Sequence, residues 1–359
     1  MRSQVASRIW RLAASACVIL GLMLTNAVAA QSLDPPPRIS FQISTGSTTG
    51  TYFPFGQRLA ELLSHPPGVG RCEAADACGP AGLIVTTRAS EGSIANLIAV
   101  NSGAVDSGLA QTDVVAMAVA GQGPFRKTGA AKQLRVIANL YGEDVHLLAA
   151  KDAKITSVAD LKGKRVSLST EGSGTINTAR AVLAAYRLSE RTVVPNYDSA
   201  EKAIDLLQNG KLDAIFFVGG APVNLIEQLL DEGVVLVPID GAGRQRLLAR
   251  DSSLSAHVIP EGTYTGAPAV ETVSVDALWV TDAAQPDALV YGMVKALFNP
   301  ANRAALDMEK LSTHFLDVNS AIAASAPLHP GAARYYTEVG VLKAGEKAAL
   351  RAPPSAKRS

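Results

Sequence analysis

The sequence predicts an α/β protein built as two α/β lobes with a ligand cleft between them. Three observations predict it. At 359 residues the chain is longer than one small core organises. Runs with the period of a strand alternate with runs of helical spacing, which means parallel sheet with helices on its faces. The junctions from strand to helix repeat one composition, Gly with Ser, Thr or Asp: "STGSTTGT" (44–51), "RASEGS" (88–93), "QTD" (111–113), "STEGSGT" (169–175) and "FVGGAP" (217–222).

The chain opens with Arg2, Arg8 and Arg11, the apolar run "LAASACVILGLML" and the small-residue stretch "TNAVAAQS". This is the pattern of a secretory signal over residues 1–30. Cys17 sits inside the apolar run with Ala14 where a lipoprotein signal wants Leu, so lipidation is the weaker reading. No later stretch approaches the roughly 20 apolar residues of a membrane span. The expected product is therefore a soluble, exported protein. The full chain's 33 basic and 32 acidic residues show no basic excess, which argues against a nucleic-acid partner.

After "DPPP", Ile39, Phe41 and Ile43 alternate with polar neighbours as in a strand, and Phe55, Leu59, Leu62 and Leu63 follow at helical spacing. "LIVTTRAS" with "EGSIANLIAV", and "SGLAQTD" with "VVAMAVAG", repeat the unit. Two extended runs, "LRVIANLY" and "VHLLAAK", then leave the first lobe. The second lobe reads as short helix and strand ("SVADLKGKRVSLST"), helix ("INTARAVLAAYRL"), helix ("SAEKAIDLLQNG"), strand ("LDAIFFVGG"), helix ("APVNLIEQLLDEG") and strand ("VVLVPI"). "AVETVSVDALWVT" is a late strand, followed by helical patterns that return to the first lobe. The expected partition is lobe 1 over 36–140 plus 260–345, lobe 2 over 141–259, and a mobile tail over 346–359.

In a parallel sheet the loops after the strands leave one edge, and ligands gather there. A helix starting at that edge presents unpaired N–H groups and a positive dipole end, a half-site for an anion. Each loop alone has a plain reading as an N-cap or turn. Five in one position favour a site. "GSGT" lacks the Gly-Lys-Ser/Thr ending of a phosphate loop, no G-x-G-x-x-G is present, and "EGSGT" lacks the spacing of a nucleophile turn. His65, His146, His257, His314 and His329 are scattered, with no H-E-x-x-H pair. The reading is a binding protein, not an enzyme, with no catalytic residue, no cofactor and no metal assigned. Cys72 and Cys78 in "RCEAADACG" fit a local disulfide in an oxidising compartment; half of a metal site is the alternative, with no His or further Cys nearby in sequence.

The chain resembles the solute-binding subunits of TAXI-type TRAP transporters, carriers whose periplasmic component hands its substrate to a membrane permease. The resemblance rests on "STGSTTGTYFPFGQRLAELL", "ASEGSIANLIAVNSGAVDSGLAQTDV", "LYGEDVHLLA", "DLKGKRVSLSTEGSGT", "DAIFFVGGAP" and "IPEGTYTG", in the family's order over about residues 38–300. It implies a type II periplasmic-binding-protein fold whose lobes close on a glutamate-like, glutamine-like or dicarboxylate ligand, and a TRAP permease as partner of a monomer. The implied ligand loops are Thr45, Gly46, Thr49, Gly50, Thr51 and Tyr52; Ser90, Gly92 and Ser93; Gln111 and Asp113; Gly172, Ser173, Gly174 and Thr175; and Gly219 and Gly220. Relatives often carry Arg where this chain has Ile176, so Arg180 and Arg88 are the candidate replacement cations. A ligand sensor signalling to a membrane partner is the alternative use of the same clamp.

Overall fold

A computed structural model describes residues 38–67, 72, 77–306, 313, 315, 317–322 and 325–343. The expected signal over 1–30, the tail over 346–359 and His314 lie outside the described residues.

Strand β1 (Ile39–Ser44) alternates as its sequence predicts, with Phe41 and Ile43 fully buried. Helix α1 (Tyr52–Leu63) buries Tyr52, Phe55, Leu59 and Leu63, one face at helical spacing. β2 (Leu83–Arg88) leads to α2 (Ser93–Asn101), and β3 (Ser107–Gln111) to α3 (Thr112–Ala120). The two extended runs read as separate are one 16-residue strand, β4 (Leu134–Ala149), buried almost throughout.

β5 (Arg165–Ser167) and α4 (Gly174–Ala185) come next, then β6 (Val194–Asn196), α5 (Ala200–Gln208), β7 (Ala214–Gly219), α6 (Asn224–Asp231) and the short β8 (Val235–Leu236). The expected short helix before β5 is a 3-10 turn, Val158–Leu161, closed by a reciprocal Ser157 and Asp160 cap. Helix α7 (Gly241–Arg250) and strand β9 (Leu254–Ile259) are additional to the sequence reading. The chain then forms β10 (Val270–Asp282), α8 (Asp287–Leu297), the single turn α9 (Arg303–Leu306) and α10 (Pro330–Glu338). Among the described residues no helix is long and apolar enough to cross a membrane. Cys72 and Cys78 are joined in a disulfide, with Cα atoms 5.7 Å apart.

The strands form one sheet in the order β2-β1-β3-β10-β4-β7-β5-β6, with β8 on β4 and β9 on β10. The parallel groups β1–β3 and β5–β7 are joined through antiparallel pairing of β10 and β4. Register on these long strands decides where the loops go. Gln111 at the end of β3 and Tyr141 of β4 both pair with Ala277, while Gly219 at the end of β7 pairs with Asp144. The two groups point in opposite directions and end within three residues of each other along β4, a span of about 10 Å. Their loops are thereby brought to one level of the sheet, and Glu143 lies at that level.

Candidate functional site

Loops from both halves enclose a hollow of about 80 Å³. The first half contributes Gly46, Ser47, Gly50, Thr51, Tyr52, Glu91, Gly92, Ser93 and Gln111 to its wall; the second contributes Ser167, Ser169, Ser173, Gly174, Thr175, Ala200 and Ile215–Val218, and Glu143 comes from β4, the strand that joins them. It holds on the order of six water-sized groups.

The wall is assembled locally first. Asn96 of α2 accepts hydrogen bonds from the Ser44 and Ser90 hydroxyls, each at 2.6 Å, and donates to the Leu109 carbonyl at 2.7 Å, so one buried side chain fixes the ends of three strands. Thr45 donates to the Arg88 carbonyl at 2.8 Å. Gly92 has φ +123°, a conformation other residues rarely adopt. Ser173 caps α4 by accepting from the Ile176 amide at 3.2 Å. Ser169, with φ +73°, is a non-glycine residue in the left-handed region on the wall itself.

The halves then meet through direct contacts. Glu91 accepts from the Gly172 amide at 3.0 Å, and the Ala95 amide donates to the Gly172 carbonyl at 3.0 Å. Glu201 of α5 accepts from Thr49 at 2.9 Å and also from Ser47. Asn177 donates to Asp113 at 2.7 Å, and the Gly220 amide to the Thr51 hydroxyl at 3.4 Å. These contacts join the two halves around the hollow.

Of the residues singled out in the sequence, Gly46, Gly50, Thr51, Tyr52, Gly92, Ser93, Gln111, Ser173, Gly174 and Thr175 line the hollow. Thr45, Thr49, Ser90, Asp113, Gly172, Gly219 and Gly220 do not line it: the side chains of Thr45, Thr49, Ser90 and Asp113 and the backbone of Gly172 and Gly220 bond to other segments, and Gly219 pairs with Asp144 in the sheet. Neither candidate cation is on the wall. Arg180 pairs with Glu190 at 2.9 Å and Glu171 at 3.1 Å, and Arg88 is exposed. Among the described residues no Lys, Arg or His lines the hollow. His146 is buried on β4 with Nε2 2.8 Å from the Tyr264 hydroxyl, and burial pushes its pKa down to about 4, so it stays neutral. Among the described residues no three His, Cys, Asp or Glu converge to hold a metal ion.

The sequence reading passed over Ser47, Glu91, Glu143, Ser167 and Ser169 on the wall, and Glu201, which binds Ser47 and Thr49. Glu143 had a signal: with Asp144 it interrupts an otherwise apolar strand, and buried charge needs a reason. It is 2% exposed, and the Tyr52 hydroxyl donates to its Oε2 at 2.7 Å. Burial above all, with the Asp113 and Asp276 charges, pushes Glu143 up to about 8 against the hydrogen bonds from Tyr52 and Thr51. Burial, then the Asp251 charge, pushes Asp113 up to about 7. Burial and the Glu143 charge hold the Tyr52 hydroxyl well above its ordinary range, so it remains a donor.

A pH dependence follows from these two acids. Their pKa values are raised in the folded form, so the folded protein holds protons that the unfolded chain loses first. The contribution is fully favourable below the ordinary carboxyl range near 4 and is lost as pH rises to about 7 for Asp113 and about 8 for Glu143. The unfolding midpoint of the ligand-free protein should fall by about 10 °C between pH 5 and pH 8 relative to the Asp113→Asn, Glu143→Gln double variant. Differential scanning fluorimetry at constant ionic strength checks this; parallel curves for the two proteins would refute it.

The sequence profile of the NMT1-like family matches residues 43–340. Among solved structures, MatC from Rhodopseudomonas palustris, with bound malate, aligns at 14% identity over 78% of this chain and 90% of its own, with a TM-score of 0.51. The periplasmic binding protein BugD aligns at 11% identity over 79% and 89%, with a TM-score of 0.50. At such identities the likeness shows the fold, that of periplasmic binding proteins with two α/β lobes and a cleft.

Proposed function

The chain belongs to the NMT1-like family, and from that premise we propose that it is the periplasmic solute-binding component of a TAXI-type TRAP transporter, capturing a small carboxylate and delivering it to a membrane permease. The observation that carries the reading is the hollow lined by both halves. Strand-to-helix loops of both halves wall it, and α1, α2 and α4 begin at its edge with Tyr52, Ser93 and Gly174. The first amides of a helix have no acceptor within it and favour an anion.

In this reading the lobes are 36–140 plus 260–345 and 141–259, and β4 and β10 are the connections about which they close. A ligand held by both lobes stabilises the closed form only through its differential affinity for it. The contacts of Glu91 and Glu201 across the cleft supply the rest. MatC, which shares the fold, holds malate; small carboxylates are therefore the first class to try. The test is a thermal-shift panel of amino acids and dicarboxylates. A ligand at 100 times its dissociation constant adds about 2.7 kcal/mol and should raise the unfolding midpoint by several degrees. A panel with no shift at millimolar concentrations defeats the proposal.

A further inference from the structure

We propose that Ser169 is a solute-binding residue of the hollow: a left-handed backbone carries its hydroxyl onto the wall, where it donates a hydrogen bond to an oxygen of the bound solute. This rests on the reading of the hollow as a solute site and adds a contact outside the loop residues expected from the sequence.

β5 ends at Ser167, and the chain turns through Ser169 towards the start of α4. Ser169 has φ +73°. A Cβ makes that conformation unfavourable, and glycine alone enters it freely. Among the described residues two other non-glycine residues share it, Lys154 and Arg187. Both are exposed and follow the end of a helical segment, the 3-10 turn Lys151–Ala153 and α4, where a left-handed residue closes the last turn. Ser169 ends no helix. Glycine would make the same turn with less strain. What serine adds is a hydroxyl on the wall of the hollow, the setting in which such strain gathers.

The hydroxyl is uncommitted. Ser47 donates to Glu201, Tyr52 to Glu143 and Ser173 to the Thr170 carbonyl, so several hydroxyls on the same wall already serve the protein. For Ser169 the amide is engaged, donating to the Ser167 Oγ at 3.4 Å, and among the described residues the hydroxyl has no acceptor. It is half-buried. A solute filling the hollow of about 80 Å³ displaces the water that such a group otherwise bonds, and the loss is made good only by an acceptor on the solute. A solute oxygen at that place is therefore favoured over a methylene group.

The test is calorimetric titration of the full chain with L-glutamate, L-glutamine, L-aspartate, succinate and glutarate, repeated for Ser169→Ala, Ser169→Gly and Thr170→Ala. The tightest of these solutes should lose at least about fivefold in affinity to both Ser169 variants, the worth of one hydrogen bond. Without solute, Ser169→Gly should unfold at a temperature no lower than the parent's, because relief of the backbone offsets the added freedom of the unfolded chain. Thr170→Ala removes the next hydroxyl, which is not on the wall, and should bind within about twofold of the parent. Affinity that falls while stability holds separates a contact with the solute from support of the loop. A smaller loss in either Ser169 variant, earlier unfolding of Ser169→Gly, or a larger loss in Thr170→Ala overturns the assignment and leaves the solute site standing. Binding of none of these solutes by the parent overturns the solute reading and this inference together.

Discussion

Gly174→Val should lower affinity for the solute at least 100-fold while leaving the unfolding midpoint of the ligand-free protein within about 3 °C of the parent. Gly174 opens α4, and a Cβ there would lie 2.1 Å from the Gln111 Oε1 and 2.6 Å from the Ser93 Oγ, both carried by the other half. Its backbone is not in the left-handed region, so valine is tolerated within its own half. The clash exists only when the halves meet. Gln111 and Ser93 are both buried; the Gln111 backbone amide donates to the Ser93 Oγ at 3.1 Å and holds that hydroxyl in place, so relief has to come from the Gln111 side chain in a buried setting. A hundredfold loss corresponds to about 2.7 kcal/mol of closed-state stability, within reach of one misplaced branched side chain. Calorimetry with the tightest member of the panel reads the loss. Unchanged affinity would mean that binding does not require the halves to meet here.

Trp279→Ala should cost about 4 kcal/mol of folding stability, the largest single loss expected from one core side chain. Trp279 is fully buried on β10, opposite Leu109 of β3 and Ala138 of β4. Its ring meets Phe41 edge-on at 6.4 Å between centroids, and its Nε1 donates to the Ser107 hydroxyl at 3.0 Å. Truncation removes the packing of three strands and leaves Ser107, itself buried, without its donor. Urea unfolding followed by far-ultraviolet circular dichroism measures the change. A loss under 1 kcal/mol would show that the site collapses around the smaller residue.

The local elements were largely legible. The alternation of Ile39, Phe41 and Ile43, and the helical spacing of Phe55, Leu59 and Leu63, appear in the structure as β1 and α1 because each pattern is complete within a few residues. The breaks in legibility are equally physical. β4 was read as two runs because "GED" interrupts it; the polar pair stays in the strand because β10 and β7 supply its backbone partners. β9 was missed because Ser255, Ala256 and Val258 are exposed on both faces of the strand and leave no alternation to read, and its pairing with β10 is what makes it a strand.

The site divides in the same way. Loop chemistry identified Gly92, Ser93, Ser173 and Gly174, since Gly and hydroxyl residues before a helix announce a close backbone approach. It could not tell which hydroxyls face a ligand and which bind a neighbouring loop: Ser90 and Thr45 have the same composition as Ser173 and Thr51, yet they hold Asn96 and the Arg88 carbonyl rather than the wall. That choice depends on partners about 6 to 50 residues away in the chain.

By itself the sequence determined most of the order of strands, loops and helices and the presence of glycine and hydroxyl loops, because periodicity and turn chemistry act over a few residues. Tertiary structure alone decided that these loops share one hollow and that an acid rather than a base stands in it. The register of β3 and β7 on β4 and β10 brings opposed strand ends to Glu143, and register is a long-range property that no local stretch encodes.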